Sequence, residues 1–274
     1  MAIALEIRDG SPHWYLSPDV WIVKQPTDEF ESTPIAGEPC YLKAKVRNGG
    51  STSVSNATVK FYWANPAVGF NRDTANYIGQ SFVSLDPDQV QDVLCLVPWV
   101  PEYLNGGHEC ILAEAYHQND PLTSLIDFNV PTDRHVAQRN LSVQMAENGM
   151  FHMNFEIHNA FRIVQKFDIR AEQISVKDIS DFNQVKELLK GRKEGKINSI
   201  GFSESFCPDQ MPDHCDNGDL IRKGISIEGH RTARMAINGE ISGDFALVRI
   251  TQLIDGKITG GLATLIINDK KEKA

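Results

Sequence analysis

The chain has 274 residues, 41% of them hydrophobic and 23% charged, with a net charge of −9; that is room for two domains of ordinary size and the composition of a folded protein, not of a disordered or collagenous one. The charge is uneven: residues 1–147 carry 9 Lys and Arg against 18 Asp and Glu, while residues 148–274 carry 18 of each, so the front half repels phosphate backbones and nucleic acid is not an expected partner. No apolar run reaches the roughly 20 residues of a membrane-crossing helix, and membrane insertion is not expected.

Glu6 interrupts the apolar opening, where a secretory leader needs an unbroken core. Synthesis in the cytoplasm is the expectation, with any export by a route independent of such a signal. Val20 to Lys24 reads as the first strand and ends at Gln25-Pro26. Cys40 to Arg47 alternates cleanly, its even positions apolar and Lys43, Lys45 and Arg47 facing water, which is the pattern of a half-buried strand. The turn cluster Asn48-Gly49-Gly50-Ser51-Thr52-Ser53 leads to a strand over Ala57 to Trp63, then Tyr77 to Leu85, the turn Asp86-Pro87-Asp88, and Val90 to Trp99. His108 to His117 and Val136 to Met145 complete seven strands.

Five cysteines stand at 40, 95, 110, 207 and 215. Cys40, Trp63 and Cys110 follow the Cys, Trp, Cys order of antibody-type domains. The odd count, and His108 at the place of the corner tyrosine, favour buried free thiols over a bridge between 40 and 110.

The Ser-Pro-Asp-Val-Trp lead, Val46-Arg47-Asn48-Gly49-Gly50, Val59-Lys60-Phe61-Tyr62-Trp63, Ile78-Gly79, Trp99, Gly107-His108-Glu109-Cys110-Ile111-Leu112-Ala113 and Val136-Ala137-Gln138-Arg139-Asn140 together resemble a bacterial immunoglobulin-like module of the cell-adhesion-related, CARDB-like type, over about residues 17–145. The resemblance implies a non-catalytic β-sandwich of the kind found in surface, secreted and assembly-associated bacterial proteins. The insertion from Tyr116 to His135 departs from that pattern.

In the back half, Phe151 to His158 alternates for eight residues and Phe167 to Ala171 repeats the pattern. Phe182, Val185, Leu188 and Leu189 then share one helical face, which predicts a short helix over 181–190 closed by Gly191, with the basic cluster Arg192, Lys193 and Lys196 at its end. Ile197 to Phe202, Gly224 to Ile227, Thr232 to Ile237, Phe245 to Leu253 and Leu262 to Ile267 are further strands, and Asp255-Gly256 is a hairpin turn. The expected fold is all-β: two tandem immunoglobulin-like β-sandwiches, 1–147 and 148–274, the second with an inserted helix.

No catalytic constellation, phosphate loop or dinucleotide fingerprint is present in the sequence, and neither a catalytic residue nor a cofactor is expected. The loop Cys207 to Asp219 holds two thiols, an imidazole and several carboxylates; it reads as an ordinary polar loop, as a local disulfide between Cys207 and Cys215, or as a metal site, although it fits neither a zinc nor a calcium template. His152 and His158 lie about 20 Å apart on one strand and cannot share an ion. Trp63 and Trp99 suit the core, whereas Trp14 beside Tyr15 falls outside the sandwich strands and is the candidate interface. A non-catalytic structural or interaction protein that binds a protein partner, in a bacterial surface, secretion or injection-type assembly, is the first reading. A carbohydrate- or metal-binding accessory protein is the alternative.

Overall fold

The computed structural model describes residues 2–32, 34–65, 67–102, 109–159, 161–179, 189–204 and 219–269. Among these residues the fold is all-β, apart from a 3-10 turn at Val176–Ile179 and the helical residue Leu189. The chain divides into two compact units, Met1–Asn65 with Phe70–Asn140, and Pro66–Gly69 with Leu141–Ala274. The helix expected over 181–190 falls on residues of which 181–188 lie outside the described set.

In the first unit, β1 (Leu5–Glu6), β2 (Val20–Val23) and β6 (Val90–Leu94) flank β3 (Tyr41–Asn48) in one four-stranded sheet. The other sheet runs in the order β5 (Asn76–Leu85), β4 (Val54–Ala64), β7 (Cys110–Tyr116), β8 (Val136–Arg139). The alternation in β3 puts Leu42, Ala44 and Val46 in the core, against Val59 and Phe61 of β4 and Ile111, Ala113 and Ala115 of β7. Two sheets burying one face each around a shared core is sandwich packing.

The strand read as continuous from Val136 to Met145 is two strands. It breaks at Asn140, whose N–H donates to the Tyr15 carbonyl at 2.9 Å and whose Oδ1 lies 2.5 Å from Cys110 Sγ. The second piece, β9 (Leu141–Glu147), belongs to the second unit. The units therefore part at Asn140, not at residue 147.

The second unit is a single sheet, in the order β12 (Lys196–Glu204), β14 (Thr232–Ser242), β10 (Met150–His158), β9, β16 (Lys257–Asp269), β15 (Phe245–Ile254), β11 (Gln165–Ile174), β13 (Asp219–Ile227). All of these pairs are antiparallel except β9 with β16, which run parallel from Leu141 opposite Ala263 to Glu147 opposite Asp269. The layers expected here are joined through the β9–β10 turn, where the two strands share a single pair, Met150 opposite Glu147, with β12, β14 and β10 on one side and β9, β16, β15, β11 and β13 on the other. The change of layer there lets Phe151, Met153, Phe155 and Ile157 of β10 face Phe167 and Ile169 of β11 and Val248 and Ile250 of β15 across one core. Val68, from the four-residue piece 66–69, is buried in that core.

The two units share a pairing pattern. β3 pairs with β6, β4 with β5 and β7, and β7 with β8; in the same relations, β10 pairs with β14, β11 with β13 and β15, and β15 with β16. A buried asparagine marks the same corner in each. Asn48 Nδ2 reaches the carbonyls of Thr52, Leu85 and Asp86 at 2.9, 3.3 and 3.4 Å while its Oδ1 accepts from Gly50 N at 3.1 Å. Asn159 Nδ2 reaches those of Ile163, Ile227 and Glu228 at 2.9, 2.8 and 3.0 Å while its Oδ1 accepts from Phe161 N at 2.9 Å. The facing turns match as well, with Asp88 at φ 61° and His230 at φ 56°.

An amide in these places satisfies carbonyls that would otherwise be buried unpaired, at about 1–3 kcal/mol each. Asn48→Ala and Asn159→Ala are each expected to destabilise their own unit by about 2–3 kcal/mol. Trp14, Trp21, Trp63 and Trp99 all lie in the first unit. Asn48→Ala should therefore lower the urea midpoint of the tryptophan fluorescence transition, and Asn159→Ala should move only the remaining far-ultraviolet circular dichroism transition.

Candidate functional site

The insertion between Tyr116 and His135 is where most of the front unit's buried charge is used. Glu114 of β7 is 1% exposed and points away from the core. It accepts from Tyr62 Oη at 2.9 Å and from Arg72 Nε and its terminal nitrogen at 3.0 and 2.6 Å. Arg72 also donates to the Asp127 carbonyl at 2.8 Å and lies 4.5 Å above the Phe128 ring, so one carboxylate ties the insertion and the segment after β4 onto the outer face of the sheet. Burial, and then the Glu114 charge, push the Tyr62 hydroxyl far above its ordinary value.

A second cluster fixes the insertion to the start of the chain. Asp120 accepts from Leu5 N at 2.7 Å, pairs with Arg134 and lies 3.2 Å from His135 Nε2. His135 Nδ1 is 2.6 Å from Asp133, which also accepts from Thr123 N at 2.9 Å. Burial alone would raise the Asp133 carboxyl, but the hydrogen bonds from the His135 ring and N–H and from Thr123 outweigh it and hold the group well below the usual carboxylate range. A carboxyl depressed on folding contributes stability that is fully present above its unfolded value of about 4 and is lost as pH falls towards the folded one. Acid unfolding of the first unit is therefore expected to set in below about pH 4, and Asp133→Asn should flatten that limb of a fluorescence-monitored pH titration. Glu31, raised by burial against the pull of Arg139, works in the opposite sense.

These groups brace the fold. Among the described residues no set of three His, Cys, Asp or Glu side chains could hold a metal ion. Cys40 and Cys95 are buried free thiols, Cys110 is buried against Asn140, and burial pushes Cys40 up to about 11. Cys207 and Cys215, with the whole loop 205–218, lie outside the described residues. His152 is exposed, but His158 is buried at the end of β10, 3.0 Å from Thr232 Oγ1.

Trp14 and Tyr15 are only 7% and 1% exposed, which corrects the expectation of an aromatic interface there. Leu16 bridges Arg139 antiparallel and Ser17 N donates to the Gln138 carbonyl at 2.9 Å, so this segment closes the β8 edge and turns its rings inward. Trp21 and Trp99 are buried too, which removes three of the four indoles from any sugar platform.

Two exposed aromatic side chains, Tyr77 and Phe82, stand on β5. This strand is the end of its sheet, ten residues with no charge and no proline, Asn-Tyr-Ile-Gly-Gln-Ser-Phe-Val-Ser-Leu. Tyr77 is 54% and Phe82 60% exposed, on the same outer face as Gln80, opposite Tyr62, Thr58 and Lys60. Val83 and Leu85 anchor the strand from the core side, and Ser81 Oγ donates to the Leu94 carbonyl. An end strand of this length leaves a row of backbone N–H and C=O groups free to pair with another chain. The lack of charge from 76 to 85 was readable in the sequence; the strand's terminal place in the sheet was not.

No protein-family model matches the chain, and no curated protein matches it. Among solved structures, the CARDB domain of a Pyrococcus furiosus protein, described as a complex with di-metal ions, aligns at 15% identity and TM-score 0.28 over 51% of this chain and 93% of that one. A β-glucosidase from Erythrobacter marinus aligns at 15% identity and TM-score 0.28, over 50% of this chain and 15% of its own. Red sea bream transglutaminase aligns at 8% identity and TM-score 0.25, over 92% and 31%. Superpositions this loose carry no argument about chemistry, and the fold stands on the strand pairings.

Proposed function

We propose that both units are immunoglobulin-like modules, the first of CARDB type, and that the chain is a non-catalytic interaction protein that holds a protein partner within a larger bacterial surface, secretion or injection-type assembly. The observation that carries this reading is the long, uncharged and partly apolar edge of β5, on a unit whose buried charges are engaged in bracing its own insertion. Matching corners and pairings in the two units support a tandem of related modules, a plan that supplies surfaces without a reactive centre. The test is affinity capture from the native source with the full chain as bait. A stoichiometric protein partner is the expected result. Repeated recovery of the chain alone, or turnover of a substrate abolished by one point substitution, would overturn the reading.

A further inference from the structure

We propose that the free edge of β5 takes up an extended, positively charged segment of a partner protein, which adds to the front unit as a fifth strand beside β5, β4, β7 and β8; this rests on the interaction reading above. Strand addition draws affinity from main-chain hydrogen bonds and selectivity from alternate side chains. The other described edges are blunted in the ways that prevent such pairing. β13 carries Arg222 and Lys223 next to Gly224 at φ 71°, where its register with β11 shifts. β6 is five residues long with Asp92 at its centre. β2 is four residues long, and its Ile22 and Val20 carbonyls already accept from Ser32 N and Arg139. The edge of β12 meets the Gln173 side chain, whose amide oxygen accepts from Ile197 N at 2.9 Å. β8 is covered by Leu16 and Ser17. β5 bulges once, at Ile78 beside Gly79, and from Gln80 to Leu85 carries no charge, no proline and no covering segment among the described residues.

The chemistry of the occupant follows from what flanks the edge. Phe82 and Tyr77 would lie beside an incoming strand on the outer face, favouring β-branched or aromatic residues at alternate positions. Asp73 stands just before the strand and Asp86 just after it, both exposed. The surrounding residues 1–147 hold 18 Asp and Glu against 9 Lys and Arg. Lys or Arg at the two ends of the segment would meet those carboxylates, and the acidic field would speed its approach. The same field opposes a second copy of this unit, which would bring like charge to like.

The probe is a synthetic peptide of about twelve residues, alternating Val and Thr with Lys-Arg pairs at both ends, compared with the same peptide carrying Glu in their place. The basic peptide is expected to bind the full chain at least about tenfold more tightly than the acidic one, to weaken as salt is raised, and to slow hydrogen exchange of the 76–85 amides. The double variant Gln80→Lys with Phe82→Lys, at two exposed positions, should lose at least about tenfold of that affinity while keeping the tryptophan unfolding transition of the parent chain. Equal binding of the acidic peptide, undiminished binding by the variant, or protection elsewhere than β5 would overturn the proposal. So would a dimer of the chain alone that the variant dissolves, since the edge would then belong to a second copy. A captured partner that binds the variant as well as the parent would overturn the edge proposal and leave the interaction reading standing; absence of any captured partner despite specific peptide binding would do the reverse.

Discussion

Glu114→Leu is expected to destabilise the first unit by about 3–5 kcal/mol, because it leaves Arg72 without the carboxylate it was desolvated to meet. Arg72 is 16% exposed at its side chain, and Lys60 lies a further 3.9 Å from the same carboxylate. Glu114→Gln retains the shape and still accepts from Tyr62, so about half that loss is expected. Urea unfolding followed by tryptophan fluorescence measures both. Spectrophotometric titration supplies an independent reading: with the Glu114 charge gone and the insertion loosened, the Tyr62 hydroxyl should fall back towards the ordinary tyrosine value of about 10. A Glu114→Leu variant that unfolds like the parent would mean that the insertion is held by other contacts.

Gly260→Val should have the larger effect on the second unit. A Cβ at this position would lie 1.4 Å from the Val68 carbonyl oxygen and 2.4 Å from its carbon, both backbone atoms. Val68 is held in turn by its N–H, which donates to the Glu156 carbonyl at 3.0 Å, so the piece 66–69 has no easy direction in which to retreat. A loss above about 4 kcal/mol is expected, in the range that only severe overpacking or an orphaned buried group reaches. The measurement is far-ultraviolet circular dichroism at 37 °C: the variant should lose the second unit's strand signal and keep the tryptophan transition of the first.

Local patterns carried much of the architecture. Leu42, Ala44 and Val46 announce β3 by alternation alone, and Phe151 to Ile157 announce β10 in the same way, because a strand with one wet face writes its geometry into every second residue. Longer-range facts left no such trace. Trp14 and Tyr15 looked unpartnered because the contacts that bury them, through Leu16 and Ser17, come from residues 138–140, more than a hundred positions away. The break at Asn140 was passed over because only one residue separates β8 from β9, although Gln138-Arg139-Asn140 interrupts the alternation and the two strands serve different units. The paired corners at Asn48 and Asn159 escaped notice because the loops beyond them, Gly-Gly-Ser-Thr-Ser and Ala-Phe-Arg-Ile-Val, share no residue; what they share is a side-chain amide and a spacing. Of the β5 edge, composition was legible and exposure was not, since only sheet order decides which strand stands last.

The seam between β9 and β16 has a mechanical meaning. The two strands run the same way, and the second unit's chain enters at the head of one and leaves at the foot of the other. Tension applied to those two points pulls along the ladder, so the bonds from Leu141 to Glu147 bear load together instead of parting one after another. A module threaded in this manner is expected to resist stretching better than a hairpin opened from its end, because its ladder is loaded in shear.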